Sequence, residues 1–438
     1  MSGALPWHRR PVYLVGGIRT PFLKAAGPGP FKAADLAVAA GRQLLLRQPF
    51  PPEAIDQVIL GCVAPGPDEA NIARVAALRL GCPIDTPAFT VQRNCASGLQ
   101  AVETAGAEIL AGRAELVLAG GTEAMSHHPV LLGEAMVSWL AQWQKARGAG
   151  ARLRQLARLR PRHLAPVIGL LRGLTDPVTG LSMGQTAEEL ATEFGIDRTT
   201  MDRWALRSHQ RALAAREQGR LEKESVPLFD ADGRVYQQDT GIRPDTNLEA
   251  LARLQPVFDR PVGRITAGNS AQITDGAAWL LLASEEAVAR HRLPVLGRIL
   301  DSQWAGLAPE RMGLGPVFAM APILRRQGLD SPDIDAWEIN EAFAAQVLAC
   351  LAAWQDADFC RRELDLPEPF APIPEERLNV DGGAIALGHP VGASGARILL
   401  HLLHTLRRQG GRLGIASLCI GGGQGGAMLI ERPAGGGS

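Results

Sequence analysis

One pattern occurs twice in this chain and restricts its fold more than any other feature. Ala96-Ser-Gly98 opens an apolar helical stretch to Leu110, which leads into Glu115-Leu-Val-Leu-Ala and the pair Gly120-Gly121. Near the other end, Ala393-Ser-Gly395 opens an apolar helical stretch to about residue 407. That stretch leads into Gly414-Ile-Ala-Ser-Leu-Cys419 and the glycines from Gly421. Short apolar runs alternating with longer helical ones indicate strand–helix–strand units around a covered, mostly parallel sheet. A chain of 438 residues exceeds one ordinary core. The repeat therefore predicts an α/β protein of two related halves rather than a short-period solenoid.

The remaining periodicities fit that plan. Residues 12–17 and 55–62 read as strands, 34–46 and 71–80 as helices, and Phe89 to Cys95 as a strand running into a turn. Trp337 to Glu341 reads as a strand end opening into a helix. Residues 127–261 break the pattern. Within them, 198–216 read as a charged amphipathic helix and 230–246 as a polar loop or hairpin. The stretch 135–175 carries eight Lys or Arg residues, Arg152, Arg154, Arg158, Arg160 and Arg162 among them, and no acid. Solvated helix faces account for such a stretch; so does a surface for phosphates, a partner subunit or an anionic membrane.

Global properties exclude several classes. The 45 basic and 45 acidic residues cancel, so nothing points to nucleic acid. There is no apolar run of the ~18 residues that a membrane span needs, and the first residues lack the apolar core of a signal peptide. The six cysteines form no CxxC pair. Free thiols in a reducing cytoplasm are the simpler expectation.

Four short segments carry candidate chemistry. Asn94-Cys95-Ala-Ser-Gly98 puts a cysteine at a helix start, where partial positive charge favours thiolate. An inert buried cysteine has the same local sequence. In Gly382–Gly395 five glycines surround His389, a density suited to backbone passing close to a ligand. His389 can take a proton from Cys95, or serve as a structural loop residue. Cys419-Ile-Gly421-Gly-Gly-Gln-Gly-Gly426 ends a strand in backbone N–H groups able to hold an oxyanion. No GK[ST] follows to make it a nucleotide phosphate loop. In Asn340-Glu-Ala-Phe-Ala344 an amide at a strand end can orient water.

Taken together, and with Arg19-Thr-Pro21, Gly120-Gly-Thr-Glu-Ala-Met125, Met183-Gly-Gln-Thr-Ala-Glu188, Thr266-Ala-Gly-Asn269 and Asp275-Gly276, these segments resemble the thiolase superfamily, in its order, from about residue 10 to 432. The resemblance implies a thiolase fold of five layers, α-β-α-β-α. Residues 1–126 with 262–291 would form the half carrying the nucleophile, and 292–432 the second half. Residues 127–261 would be an inserted loop domain over coenzyme A and the acyl chain, and 433–438 a flexible tail.

It also implies roles. The residue matching Cys95 is acylated, that matching His389 activates it, and that matching Cys419 is the acid/base at the acetyl α-carbon. Asn340 matches the holder of a water in one oxyanion hole. The N–H groups of Cys95 and Gly421 match the other. Substrate contacts fall on Ser182, Met183, Ala267, Gly268, Ser270, Ala271 and Phe343. Coenzyme A is a co-substrate and no metal is implied.

Three positions depart from common family patterns. Short-chain members carry His where this chain has Ser182, which favours broader acyl chains. Ala271 stands where a serine often meets pantetheine. The long 127–261 segment resembles that of the thiolase subunit of bacterial fatty-acid oxidation complexes, yet those subunits often have His where this chain has Asn340. The implied activity is thiolytic cleavage of 3-ketoacyl-CoA, the reverse of a Claisen condensation, in fatty-acid β-oxidation. A biosynthetic acetoacetyl-CoA thiolase is the alternative. A ketoacyl synthase of the same fold would lack Cys419, and a non-catalytic coenzyme A- or lipid-binding module would have lost Cys95 or His389. The implied partners are a second copy, as dimer or dimer of dimers, and a hydratase/dehydrogenase subunit.

Overall fold

The computed structural model of the chain describes residues 5–433. Of the expected tail, residues 434–438 lie outside the described residues. Nine strands matter here: β1 (Tyr13–Arg19), β2 (Gln57–Gly61), β3 (Ala88–Val91), β4 (Leu116–Ala124), β5 (Thr274–Ala283), β6 (Gly297–Gly306), β7 (Ala336–Ile339), β8 (Leu413–Ile420) and β9 (Gln424–Glu431). In the first part of the chain lie α1 (Ala33–Leu46), α2 (Ile72–Arg79) and α3 (Ser97–Leu110). The segment between β4 and β5 contains α4 (Glu134–Lys145), α5 (Ala149–Leu156), α6 (Met183–Glu193) and α7 (Arg198–Glu217). Then follow α8 (Gly315–Gln327), α9 (Ala344–Gln355) and α10 (Val391–Gln409).

The strands form one ten-stranded sheet in the order β7-β8-β9-β6-β1-β5-β4-β2-β3, with the short strand Leu23–Lys24 beside β5. Two series with one plan are visible in that order. Going outward from the middle, β1-β5-β4-β2 corresponds to β6-β9-β8-β7. The series meet where Tyr13 and Leu14 pair with Arg298 and Gly297. A parallel bridge from Trp337 to Leu378 stands where the first series has β3.

The sheet is not mostly parallel, as helix–strand alternation had suggested. Only β2/β3, β2/β4 and β7/β8 are parallel. The other ladders are antiparallel. The cause is the last strand of each series. β9 returns from β8 as a hairpin through Gly421–Gly423, and β5 returns beside β4 after the excursion 125–273. An antiparallel return needs no crossover helix.

Alternating side chains divide the core into layers. On β5, Ala277, Trp279 and Leu281 face α1 and α2, while Leu280 and Leu282 face α3 and α10. On β9, Met428 and Ile430 share that central layer, while Ala427 and Leu429 face α6–α9. The α-β-α-β-α arrangement follows. Helices α3 and α10 are the middle layer and pack on each other between the two series of strands.

That contact depends on missing side chains. A Cβ at Gly121 would lie 1.9 Å from the carbonyl oxygen of Gly392, and one at Gly98 would lie 2.8 Å from the same oxygen. Glycine at both positions lets the starts of α3 and α10 meet over the end of β4.

Buried ions tie the 125–273 excursion to this core. Arg19, fully buried on β1, holds Glu224 (2.7 Å) and Asp239 (2.7 Å). Glu224 in turn holds His401 of α10 (2.8 Å), whose other ring nitrogen lies 3.3 Å from Asp381. Burial opposes charge on His401, but Glu224 and Asp381 outweigh it and raise its pKa to about 10. An unfolded imidazole titrates near 6.5, so this raised group stabilises the fold fully below about pH 6.5, and its contribution is lost as pH rises toward about 10. The melting temperature is expected to fall between pH 7 and 10, and to fall less in His401→Gln. Calorimetric scans across that range check it.

Candidate active site

Cys95 sits in a tight turn between the edge strand β3 and α3. The turn requires left-handed backbone at Asn94 (φ +42°), a conformation that asparagine tolerates better than most residues. The Asn94 amide donates to the carbonyl of Gly421 (2.8 Å). Ser97 closes the turn: its hydroxyl accepts from the Arg93 N–H (2.9 Å) and donates to the Asn94 carbonyl (2.7 Å). The thiol is thus presented two residues before the first helical residue, beside the β8–β9 hairpin turn.

The fold works against the thiolate that the helix start favours. Burial pushes the Cys95 thiol above its ordinary value; N–H groups of Gly421 and of Cys95 itself pull it back, and Glu123 adds to the rise. Desolvation outweighs the local dipole. This reverses the thiolate expected from sequence.

His389 precedes α10. Its backbone N–H donates to the Gln272 carbonyl (3.0 Å). Its Nδ1 lies 2.6 Å from the Ser394 hydroxyl, which donates to the Pro390 carbonyl (3.0 Å). The hydroxyl proton is therefore committed, so Nδ1 carries the ring hydrogen and Nε2 keeps its lone pair. Nε2 is 3.4 Å from the Asn340 amide nitrogen. Burial, reinforced by Arg397, lowers the His389 pKa to about 3. The ring is a neutral base.

Asn340 ends β7 and is buried. Its N–H donates to the Ser417 carbonyl (2.9 Å), and its side-chain oxygen finds no partner among the described residues. Cys419 ends the neighbouring β8. Burial pushes its thiol well above the ordinary value, and Cys95 and Cys350 add to this. An imidazole nitrogen with its lone pair, two thiols raised by burial, an unsatisfied amide oxygen and the Gly421 N–H thus form one group. Such a group can move a proton, form a thioester and stabilise an oxyanion.

Two buried carboxylates hold these pieces in place, and neither was singled out in the sequence. Glu123, at the end of β4, accepts N–H groups of Val63 (2.8 Å), Ala64 (3.0 Å) and Gly392 (3.0 Å). Glu341 follows Asn340 and accepts from Trp204 (3.1 Å), Ser208 (2.7 Å), Asn379 (3.2 Å) and the Ile385 N–H (3.3 Å). Acids inside otherwise apolar runs were the available signal, because a buried carboxylate must find donors.

Two cavities meet at Cys95. The larger, about 350 Å³, is lined by Cys95, His389, Cys419 and Gly421, and also by Met183, Ala267, Ser270, Ala271 and Phe343. The smaller, about 260 Å³, runs past Asn94 and Met183 toward Thr175 and Asp176. Two expected substrate residues lie on neither. Ser182 caps α6 instead: its hydroxyl accepts the Gln185 N–H (3.3 Å), and its own N–H donates to the Gln185 side chain (3.0 Å). Gly268 turns toward Leu251 and Leu254. Ser270 reaches the cavity, but its hydroxyl donates to the Thr266 carbonyl (2.7 Å). All six cysteines are unpaired. No group of His, Cys, Asp and Glu among the described residues is placed to hold a metal, and no described helix is long and apolar enough to cross a membrane.

Comparison with known proteins gives one family. Residues 12–286 match the model of the thiolase N-terminal domain, and residues 293–432 that of the thiolase C-terminal domain. The chain is 41% identical to a beta-ketoadipyl-CoA thiolase of Pseudomonas aeruginosa, over 97% of this chain and 99% of the relative. It is 38% identical to a 3-ketoacyl-CoA thiolase of Yersinia pestis, over 98% and 100%. Among solved structures, a Bacillus anthracis acetyl-CoA acetyltransferase superposes with a TM-score of 0.84 at 37% identity, over 97% of this chain and 99% of that one. Human mitochondrial 3-ketoacyl-CoA thiolase in complex with CoA superposes with a TM-score of 0.83 at 38% identity, over 98% and 99%.

The elevated Cys95 thiol has a direct consequence for alkylation. In the ligand-free protein its rate of alkylation by iodoacetamide should still climb as pH passes the ordinary thiol value of 9.0. Rates followed by mass spectrometry check this, and a plateau near neutrality would indicate a resting thiolate–imidazolium pair.

Proposed function

This chain belongs to the thiolase family and is an acyltransferase, and we propose that it cleaves 3-ketoacyl-CoA with coenzyme A through an acyl-Cys95 intermediate. One observation carries the reading: Cys95, His389, Cys419 and Gly421 converge on a single cavity.

The chemistry assigns each group a part. The neutral His389 Nε2 takes the thiol proton as Cys95 Sγ attacks the keto carbon. The resulting alkoxide lies against the N–H groups of Cys95 and Gly421. Its collapse breaks the Cα–Cβ bond, leaves the shortened acyl group on Sγ and expels the acetyl-CoA enolate. Protonated His389 and a water held by Asn340 stabilise the enolate oxygen, and Cys419 gives its proton to the α-carbon. The Cys419 thiolate then takes the proton of the incoming coenzyme A thiol. That thiol attacks the acyl-enzyme, and Cys95 regains its proton from His389. One difficult bond cleavage becomes two easier transfers.

Fatty-acid degradation is the setting we infer. Support comes from Ser182, which is engaged in a helix cap and brings no imidazole to the cavity. Two curated relatives carry names for different acyl groups, adipyl and general 3-ketoacyl. We also infer a dimer. Among the described residues strand β3 pairs only with β2 and leaves its other edge open beside the Cys95 turn, and an open edge is a template for pairing with another chain.

Incubation with a 3-ketoacyl-CoA, without free coenzyme A, should add one acyl mass to the protein and none to Cys95→Ala; an adduct on the variant would remove Cys95 from the role. Coenzyme A-dependent loss of the substrate's enolate absorbance should fall by about 10²–10⁴ in Cys419→Ser. Light scattering in solution is expected to give at least twice the chain mass.

A further inference from the structure

The two cavities that share Cys95 differ in charge. Lys24 and Arg243 line the larger one. Among the described residues the smaller is lined by no lysine or arginine, and Asp176 stands in its wall. On the thiolysis reading above, one cavity takes the pantetheine arm and the other the acyl chain, since both converge on the attacked carbon. The two cations suit the larger to the phosphates of coenzyme A. His389 and Cys419, which act on the acetyl-CoA fragment, line the same cavity. The acyl chain is left with the smaller.

Asp176 is buried at 2% exposure. One carboxylate oxygen accepts the N–H groups of Val178 (2.8 Å) and Thr179 (2.9 Å) and so fixes the loop that walls the cavity. The other oxygen is buried with no hydrogen-bond partner among the described residues. Among the described residues His128 is the one other ionisable side chain on the lining apart from Cys95, and its Nε2 lies 3.3 Å from the Glu123 carboxylate. The His128 ring is therefore already engaged by a carboxylate. An acyl tail ending in a carboxylate would enter a site with a buried acid and, among the described residues, no free cation, where like charges are costly. Past Asp176 the lining includes Gly173, Pro177 and Val178, all exposed, so a tail longer than the cavity can leave it.

We infer that Asp176 is a specificity-determining residue that rejects acyl chains ending in a carboxylate and leaves the enzyme to uncharged aliphatic 3-ketoacyl thioesters, including long ones. The test compares kcat/KM for 3-ketooctanoyl-CoA and 3-ketoadipyl-CoA in the wild-type protein and in Asp176→Asn, which keeps the oxygen that accepts from Val178 and Thr179. The wild type should favour the octanoyl substrate by about 100-fold or more, a ratio typical of an uncompensated like-charge contact. In Asp176→Asn the ratio of adipyl to octanoyl kcat/KM should rise by about tenfold. The inference is overturned if the wild type cleaves 3-ketoadipyl-CoA as well as 3-ketooctanoyl-CoA, or if the ratio is unmoved in the variant. If Asp176→Asn does not fold, the wild-type ratio decides alone. Failure to cleave either thioester, or acetoacetyl-CoA, would remove the thiolysis reading and this inference with it. A preference for the adipyl substrate with cleavage intact would remove the inference only.

Discussion

The close approach of α3 and α10 is the constraint on which the rest of this molecule depends. Cys95 is delivered by the start of one helix and His389 by the start of the other. Those starts meet because Gly98 and Gly121 present no side chain to the Gly392 carbonyl. Repulsion between two helix N-termini, both partially positive, has to be answered. Glu123 answers it: the buried carboxylate takes the Gly392 N–H together with two N–H groups of the loop after β2. The same carboxylate contributes to the rise of the Cys95 thiol. The contact that brings the two helix starts together thus also adds to the burial that raises the Cys95 thiol.

A second layer of buried charge runs behind this contact. Arg19, Glu224, Asp239, His401 and Asp381 link β1, the 125–273 excursion and α10 without leaving the interior. Arg397 reaches Glu338 at 3.4 Å, two residues before Asn340 on β7. Burial, with Asp381 and Glu224 nearby, pushes the Glu338 carboxyl up to about 7 despite His401 and Arg397. Such networks add little net stability over an apolar core, but breaking one member strands the others. Their consequence here is registration. Neither α10 nor the excursion can slide without leaving a buried ion unpaired.

Much of this was legible in the sequence, for a physical reason. Strand and helix periods are local, so the repeated small-residue turn, helix and strand announced two related series, and Cys95, His389, Asn340 and Cys419 announced themselves by lying at element ends among small residues. What failed was non-local. Strand direction in β5 and β9 depends on how the chain returns, which periodicity does not encode. Glu123 and Glu341 act on donors up to 269 and 137 residues away. The Cys95 thiol depends on desolvation by the whole fold, not on the helix start alone. Ser182 looked like a substrate contact because position along the chain cannot separate a cavity wall from a helix cap.

The two series of strands explain why a duplicated plan gives an asymmetric site. At the first β4–β5 return the chain makes the long excursion 125–273; at the corresponding β8–β9 return it turns through Gly421–Gly423. The short turn brings backbone N–H groups and Cys419 to the cavity that Cys95 lines. The long excursion supplies what a hairpin turn cannot, a wall containing Thr175, Asp176 and Met183 around the approach to Cys95. Symmetry places the helix starts together, and the difference between the two returns puts the Gly421–Gly423 turn on one side of Cys95 and the wall of the excursion on the other. Substitutions in the excursion can therefore reshape that wall while the packing of α3 against α10 stays fixed.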